Sequence, residues 1–200
     1  MSTKKDLIML TSLRLFADNG YEAVSVSEIA GELGLVKSAL YKHFKNKRDI
    51  FDSIIARMEE RDYEYATEND MPTQQGELEE VSLSSIIAYS KAMFKYWTED
   101  EFASLFRRML TLEQYRSEEM SALYQQYLVS GPLIYLEDIF AKLTGKRKTA
   151  RILALELYSP MYMLYTLYDG TENKDIVEKM LNEYFDNFYR RVTENELSIK

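Results

Sequence analysis

The sequence predicts an all-α protein, and three observations lead to this fold class. Apolar residues recur every three or four positions along most of the 200-residue chain, which is the spacing of one helix face. Seven glycines and three prolines are too few for the many tight turns of a strand-rich fold. Hydrophobic residues make up 46% of the chain and charged residues 29%, a composition typical of globular proteins. We expect about nine helices.

Capping patterns define the first two helices. Thr3 and Asp6 have the spacing of a helix cap, and Asn19-Gly20 ends the helix that they begin. Ser25 and Glu28 are also three residues apart, which is the capping-box pattern for a second helix. In such a box the hydroxyl accepts a bond from a backbone N–H, and the carboxylate accepts one from the N–H of the cap residue.

A tight turn and two more helices complete the amino-terminal region. Gly34-Leu35 provides the turn, because glycine adopts the positive φ of a sharp reversal. A third helix is predicted over residues 36–44, and Asn46 caps a fourth that extends to about residue 69. Two short helices around a glycine turn predict a helix-turn-helix. The predicted divisions are a three-helix helix-turn-helix domain over 1–48, a linking helix over 49–69 and a carboxy-terminal helical domain over 70–200.

Five helices are expected in the carboxy-terminal domain. Thr98 and Glu101 form a capping box that opens the second of them. Gly131-Pro132 is expected to kink or divide the third, because proline removes a helical hydrogen bond. The other predicted ranges are 78–97 for the first helix, 117–143 for the third, and 149–168 and 173–193 for the last two.

Positive charge is concentrated in the helix-turn-helix region. The net charge of the chain is −8, whereas residues 1–50 contain eight Lys and Arg against six Asp and Glu, a balance of +2. Residues 34–48 contain five of these basic residues and no acidic residue. Screening limits the reach of charge to about 8–10 Å in cell-like salt, so a local basic face is compatible with an acidic protein. The pattern indicates contact with nucleic acid.

Composition disfavours catalysis and membrane insertion. The chain has no cysteine, and its one histidine, His43, lies in the basic segment. A Ser-His-Asp triad elsewhere and zinc sites built on His or Cys are therefore excluded, and no phosphate-binding glycine loop occurs. The longest weakly charged segment, residues 152–168, contains Glu156 and predicts a buried helix. We expect a soluble cytoplasmic protein that is not an enzyme and has no metal, no cofactor and no membrane partner.

The amino-terminal pattern resembles the TetR family of one-component transcriptional regulators. The resemblance is specific over about residues 5–55, because a whole set of residues keeps its order and spacing. It implies a DNA-binding domain followed by a variable ligand-binding and dimerisation domain. Two subunits would place their third helices in successive major grooves of a pseudo-palindromic operator, about 34–36 Å apart. The matching residues are Ile8, Leu15, Phe16, Gly20-Tyr21, Ser25-Val26, Ile29-Ala30, Gly34-Leu35, Lys37, Leu40-Tyr41, His43-Phe44 and Lys47.

The resemblance also implies roles for single residues. Phosphate groups are expected to contact Ser25, Tyr41, His43 and Lys47, and base edges Lys37, Ser38 and Lys42. Lysine donates to guanine O6 and N7, so Lys37 or Lys42 would favour a G·C pair. Val36 departs from the family pattern, which often has a small hydroxyl residue there, and valine has no side-chain group that can cap a helix.

The carboxy-terminal domain is rich in tyrosine and methionine. These side chains fill irregular volumes, and tyrosine adds a polar tip, so the set suits a pocket for an apolar or aromatic small molecule. Ordinary core packing is the alternative interpretation for each residue taken singly. The candidate pocket residues are Tyr89, Met93, Trp97, Phe106, Met109, Tyr124, Tyr127, Tyr158, Met161, Tyr162 and Tyr165.

The last two helices are the predicted dimer interface. The penultimate helix is apolar on all sides, which requires two packing partners. One face would pack on the interior of the domain, and the other would join the last helix in a four-helix interface with a second copy. Glu156 would need a hydroxyl, a basic group or a cationic ligand as its partner. The predicted interface residues of the last helix are Ile176, Met180, Leu181, Tyr184 and Phe188.

The sequence therefore predicts a ligand-responsive DNA-binding regulator that works as a homodimer. Repression with release by a small effector is the usual mode of the family that it resembles. Two alternatives remain open at this point. The first alternative is an activator. The second is a helical adaptor that binds other proteins and has no DNA function, and the acidic second region permits this interpretation.

Overall fold

The computed structural model describes residues 3–68 and 82–195, and the regular structure in these ranges is helical throughout. The all-α prediction is confirmed. No helix within these ranges is long and apolar enough to cross a bilayer. The predicted domain boundary at residue 70 and the predicted helix start at residue 78 lie outside the described ranges. The ten helices found there are α1 Lys4–Asn19, α2 Val26–Glu32, α3 Lys37–Leu40, α4 Lys47–Glu68, α5 Leu83–Glu99, α6 Glu101–Glu113, α7 Glu118–Leu128, α8 Ser130–Thr144, α9 Arg147–Gly170 and α10 Lys174–Asn195.

The capping patterns of the amino-terminal helices are confirmed. The Thr3 hydroxyl accepts from the Asp6 N–H at 3.1 Å, and Asp6 accepts from the Thr3 N–H at 2.8 Å. Gly34 has a φ of 63°, which is the positive value expected of the turn. The third helix is shorter than predicted: α3 ends at Leu40, and residues 41–43 form a turn.

One predicted helix is divided, which explains the count of ten in the described ranges. The third carboxy-terminal helix breaks between α7 and α8 at Val129, whose φ and ψ are −132° and −86°. A Cβ atom on Gly131 would lie 1.8 Å from the carbonyl oxygen of Gln126, so the backbone at this break requires glycine. The expected effect of Gly131-Pro132 is therefore confirmed as a division.

The predicted capping box at Thr98 is wrong. Thr98 lies inside α5 and is buried, and its hydroxyl donates to the carbonyl oxygen of Phe94 at 2.8 Å. A buried threonine in a helix satisfies its hydroxyl in this way through the preceding turn. Glu101 is the first residue of α6, and Asp100 separates the two helices.

Packing divides the chain into two compact units. The first contains the residues up to Tyr65 together with Glu101–Tyr124, and the second contains Ala66–Asp100 together with the residues from Gln125 onward. This division differs from the predicted 1–48 and 70–200 domains, because α6 packs along α1 in the first unit. Two ion pairs join these helices, Arg14 to Glu101 at 2.5 Å and Arg108 to Asp18 at 2.9 Å.

The core of the first unit is formed by the helix-turn-helix and the helices around it. Its largest fully buried side chains come from α2, α3 and the neighbouring helices α1, α4 and α6. Burial of this apolar surface, at roughly 25 cal/mol per Å², is what holds the short helices α2 and α3 in place. These core residues are Ile8, Leu13 and Phe16 of α1, Ile29 of α2, Leu40 of α3, Ile50 and Phe51 of α4, and Phe106 of α6.

In the second unit, α8 and α9 form a hairpin, and α10 packs on α9 and α5. Pro160 lies inside α9 and lacks the N–H that would bond to the Glu156 carbonyl one turn earlier. The hydroxyl of Tyr184 on α10 donates to that carbonyl oxygen instead. Arg191 of α10 pairs with the Glu156 carboxylate at 2.8 Å. The partner expected for Glu156 is therefore a basic group, and Tyr184 closes the gap that the proline leaves.

Candidate nucleic-acid interface

The outer face of α3 and of the turn that follows it presents a group of polar side chains to solvent. Leu40 is 1% exposed and Phe44 3% exposed, and these two side chains attach the helix to the core. Their neighbours on the other side are all exposed, which leaves one continuous polar surface. The exposed residues are Lys37, Ser38, Tyr41, Lys42 and His43.

Lys37 of α3 and Lys42 of the turn after it differ little in their surroundings. The Lys37 ammonium lies 5.9 Å from the centroid of the Tyr41 ring, which is at the outer limit of a cation–π contact. Lys42 makes no hydrogen bond or ion pair with any residue between 3 and 68 or between 82 and 195. Both ammonium groups are therefore available to a ligand that carries negative charge.

The amino terminus of α2 is closed by its own capping box. The Ser25 hydroxyl accepts from the Glu28 N–H at 3.2 Å, and Glu28 accepts from the Ser25 N–H at 2.6 Å. The two hydrogen bonds with Ser25 lower the pKa of Glu28. The Ser25 side chain is exposed, so a phosphate oxygen can reach its hydroxyl from solvent.

The amino terminus of α4 is capped as predicted. Asn46 accepts from the Asp49 N–H at 2.8 Å, and the Asp49 carboxylate accepts from the Lys45 N–H at 2.7 Å. These two bonds satisfy backbone groups that would otherwise be unpaired in the first turn. They also bring a carboxylate to the helix start, where the helix dipole stabilises negative charge.

Lys47 lies at this start, but its charge is used inside the unit. Its ammonium donates to the carbonyl oxygen of Tyr21 at 2.8 Å and to that of Glu22 at 3.4 Å. The same nitrogen is 4.2 Å from the centroid of the Tyr21 ring, and the side chain is only 21% exposed. Two of its three N–H donors are therefore occupied, which sequence spacing did not reveal.

Arg48 is also committed to contacts within the first unit. Its guanidinium binds both carboxylate oxygens of Glu119 on α7, at 2.8 and 2.5 Å, and its Nε donates to Asp52 at 2.7 Å. Hydrogen bonds with Glu119 and Asp52 raise the pKa of Arg48, and the bond from Arg48 lowers the pKa of Glu119. The start of α4 is thus tied to the start of α7.

Tyr21, in the turn between α1 and α2, is the centre of several contacts. Its ring packs on Phe16 at 5.2 Å and on Phe51 at 4.9 Å between centroids. Its N–H donates at 3.1 Å to Glu113, a carboxylate of α6 that is 2% exposed. The role of Glu113 was missed, because 92 residues separate it from Tyr21 and no local pattern marks it.

Comparison with known proteins decides the classification of this region. Residues 8–54 match the family model of the bacterial regulatory proteins, tetR family. The amino-terminal region belongs to the TetR family. The match contains α2, α3 and the turn between them, and so the helix-turn-helix that the sequence predicted is confirmed.

Individual TetR-family relatives agree with this region. The uncharacterized HTH-type transcriptional regulator YerO of Bacillus subtilis (strain 168) is 51% identical over 47 residues, which are 24% of this chain and 16% of that protein. The tetracycline repressor protein class C of Escherichia coli is 33% identical over 67 residues, which are 34% of this chain and 31% of that repressor. The chain thus spans less than a third of the length of these curated relatives.

The fold is similar to that of TetR-type regulators beyond the matched region. A solved structure of a transcriptional regulator (TerR/AcrR family) from Aquifex aeolicus VF5 superposes with a TM-score of 0.68 at 20% identity. It covers 92% of this chain and 99% of its own. The likeness establishes an amino-terminal helix-turn-helix followed by a helical carboxy-terminal domain.

The candidate pocket residues fall into both compact units. Phe106, Met109 and Tyr124 are buried in the first unit. In the second unit, the rings of Trp97 and Tyr127 are 6.5 Å apart, and the Tyr158 hydroxyl donates to the Leu128 carbonyl at 2.7 Å. The other pocket residues of the second unit are Tyr89 and Met93, which are half-buried, and Met161 and Tyr165, which are buried.

Two findings revise the pocket assignment. Tyr162 is 41% exposed on the outer face of α9, so the structure corrects its placement in a pocket. The ring of Tyr135, a further tyrosine of this domain, lies 6.4 Å from the Tyr89 ring, and burial raises the pKa of Tyr135 to about 12. A cavity of about 150 Å³ between α5 and α10 is lined by none of the candidate pocket residues. Its lining residues are Lys91, Phe94, Lys95, Thr98, Glu99, Glu178, Leu181 and Asn182.

The predicted dimer residues of α10 divide into two groups. Ile176 and Met180 are 50% and 41% exposed. Leu181 and Phe188 are 4% and 1% exposed within the single chain, because they face α9 and α5 and form the core. Tyr184 is half-buried and bonded to Glu156. The structure therefore corrects the assignment of Leu181 and Phe188 to an interface, whereas that of Ile176, Met180 and Tyr184 stays a prediction.

Proposed function

We propose that the protein is a homodimeric transcriptional regulator that binds double-stranded DNA through α3 and acts as a repressor in the cytoplasm. The observation that carries the proposal is the exposed face of α3 within a helix-turn-helix that matches the TetR family. Lysine, tyrosine and histidine side chains donate to phosphate oxygens, and lysine donates to guanine edges in the major groove.

Roles within the interface follow from exposure and free donors. Lys37, Ser38 and Lys42 are proposed to reach base edges, and Tyr41 and His43 to hold the backbone. Ser25 is proposed to contact a phosphate through its exposed hydroxyl. Lys47 was predicted to hold a phosphate as well. Its bonds to the Tyr21 and Glu22 carbonyl oxygens favour a structural role instead, in which it holds the turn between α1 and α2.

Selection of bound duplexes from a random pool tests the proposal. We expect a palindromic motif with half-sites about one helical turn apart, because a two-fold dimer presents two α3 helices. Affinity for the selected duplex should fall steeply with salt as phosphate contacts lose counterion release. Enrichment of no motif, with no salt-dependent binding, would favour the adaptor alternative.

Dimerisation is proposed to use the outer faces of α9 and α10. Ile152, Leu155 and Met163 of α9 are each at least half exposed, and Ile176 and Met180 continue the apolar surface on α10. An apolar surface of this kind marks an association site. A second copy is the proposed occupant, because the two-fold symmetry of a palindromic operator requires a symmetric dimer.

Sedimentation equilibrium tests this interface. Leu155→Glu should convert the dimer to a monomer at micromolar concentration, because it places a charge in the centre of the apolar surface. Tyr189→Glu is the matched control: Tyr189 is 42% exposed on α10 but, thirteen residues after Ile176, lies on the opposite side of the helix. A Leu155→Glu variant that stays dimeric would exclude this interface.

An apolar or aromatic effector is proposed for the aromatic side chains of the second unit. Linkage requires that a ligand that binds one arrangement of the protein better than another changes its affinity for DNA. A panel of such compounds can be screened for those that raise the melting temperature. A compound that does so should also lower or raise operator occupancy in footprinting, and the direction separates induction from co-repression.

A further inference from the structure

The turn between α1 and α2 is held from two sides by opposite charges. The buried Glu113 carboxylate of α6 accepts from the Tyr21 N–H at 3.1 Å. The Lys47 ammonium of α4 donates to the Tyr21 carbonyl oxygen at 2.8 Å. Both backbone groups of one residue are therefore bonded to charged side chains, and such bonds are about twice as strong as neutral ones.

The fit around this residue is close. Gly20 has a φ of 86°, and a Cβ atom there would lie 2.7 Å from Glu113 Oε1, so any side chain at this position would displace the carboxylate. The Tyr21 ring is held by Phe16 of α1 and Phe51 of α4. Tyr21 is thus fixed at once by α1, α4 and α6.

We propose that Glu113 is a positioning residue for DNA binding, an inference that rests on the function proposed above. The carboxylate fixes the Gly20-Tyr21 turn, and the turn sets the place of Ser25, four residues later at the start of α2. Through Tyr21 and Lys47 the same contact also sets the start of α4. Because α6 lies outside the helix-turn-helix in sequence, Glu113 makes operator affinity depend on the position of α6.

Three substitutions that each remove one negative charge separate positioning from electrostatics. Glu113→Leu and Glu113→Ala remove the acceptor for the Tyr21 N–H, and the alanine cannot overfill the site. Glu113→Gln keeps an acceptor at the same place. Asp18→Asn is the control, since it breaks the exposed Arg108 ion pair between α1 and α6 without touching Tyr21. The loss of one acid is common to all four variants, so its effect on DNA attraction cancels in the comparison.

Operator affinity of the full chain should depend on whether residue 113 keeps an acceptor for the Tyr21 N–H. Titration of the duplex selected by the wild type, under conditions in which near-ultraviolet circular dichroism shows each variant to be folded, gives the dissociation constant and the active fraction. We expect Glu113→Leu and Glu113→Ala to bind about tenfold more weakly than Asp18→Asn, because the buried N–H is left without a partner. Glu113→Gln should lie within about twofold of the control.

A second measurement detects the cause directly. Hydrogen exchange at the Tyr21 amide should speed up in Glu113→Leu and Glu113→Ala and stay slow in Glu113→Gln and Asp18→Asn. A structural role alone would lower the active fraction and leave the dissociation constant of the folded protein unchanged, and that result would overturn the inference. Wild-type protein that fails to bind any duplex would instead contradict the proposed function, so the two failures are distinct.

Discussion

The helix α3 and the start of α4 use the same kind of charge in different ways. Both come from the acid-free segment of residues 34–48. Lys37 on α3 and Lys42 in the turn after it are exposed and unpaired by any carboxylate among the described residues. At the start of α4, Lys47 binds two backbone carbonyls and Arg48 binds two carboxylates.

The difference shows that a basic segment in the sequence does not by itself predict a basic surface in the structure. A cation that already has strong partners must give them up before it can bind a phosphate, and this loss offsets most of the gain. Lys37 and Lys42 can add attraction without such a loss. Mutations on α3 should therefore weaken DNA binding, whereas mutations at the start of α4 should lower stability.

The largest effect is expected for Lys37 and Lys42 together. Lys37→Ala with Lys42→Ala should weaken operator binding on the order of a hundredfold and leave the free energy of unfolding unchanged, because exposed side chains without partners are removed. Fluorescence anisotropy with the selected duplex measures the loss. Lys146→Ala with Lys148→Ala, exposed residues beside the start of α9, is the control for the same change of charge. An equal loss in the control would mean that α3 has no special role.

The next largest effect is expected at Lys47, in stability. Lys47→Met keeps the length of the side chain and removes its bonds to Tyr21 and Glu22, which should cost about 2 kcal/mol of unfolding free energy. The slope of operator affinity against salt should stay close to that of the wild type in the folded variant. Urea denaturation and a salt titration measure both quantities. An unchanged stability with a slope smaller by about one would show that Lys47 binds a phosphate.

Local spacing predicted the parts of the fold that depend on neighbours in sequence. The capping boxes at Thr3 and Ser25 and the positive φ of Gly34 lie within four residues of the groups that they serve. The helix-turn-helix was therefore predictable, and the family match confirms it. The early end of α3 was not predictable in this way. The helix has only four residues, and N–H groups of the turn after it bond to the carbonyl oxygens of Lys37 and Leu40.

Long-range contacts account for what the sequence did not predict. Nothing near Lys47 shows that the Tyr21 carbonyl lies within reach, and nothing near Glu113 shows its bond to the same residue. On α10, helical spacing identified Leu181 and Phe188 as apolar but not which helix they face. Periodicity gives an apolar face, and only the packing decides whether a second copy or the same chain covers it.

A smaller, pH-dependent effect is expected at the pair of Arg48 and Glu119. The hydrogen bond from Arg48 lowers the pKa of Glu119 in the folded protein, so the pair stabilises the fold above the unfolded pKa and loses this effect as pH falls through the folded pKa. Glu119→Gln should cost less than about 1 kcal/mol near pH 7, since both side chains are about half exposed. The difference from the wild type should disappear in acid, below the pKa of Glu119.

Urea denaturation across this pH range measures the effect, with Glu118→Gln as control. Glu118 is the exposed neighbour of Glu119 and has no ion pair within residues 3–68 and 82–195, so its substitution changes the charge equally. Equal pH profiles for the two variants would mean that the Arg48 contact adds nothing to stability. In that case Arg48 would be as free as the lysines of α3, and the contrast between the two regions would be limited to Lys47.

The smallest effect is expected at Val36, the residue before α3. Its φ of −80° and ψ of 146° suit a helix cap, but no side-chain hydrogen bond caps the helix there. Val36→Thr is nearly isosteric at a side chain that is 70% exposed, and its hydroxyl can accept from the first-turn N–H groups of α3. We expect a gain of about 0.5 kcal/mol in unfolding free energy, and none for Val36→Ala. If Val36→Thr also strengthens operator binding more than stability explains, the new hydroxyl contacts a phosphate, and the DNA-binding surface includes the residue before α3. A destabilised Val36→Thr would show instead that the valine methyl groups, not a missing cap, decide how α3 begins.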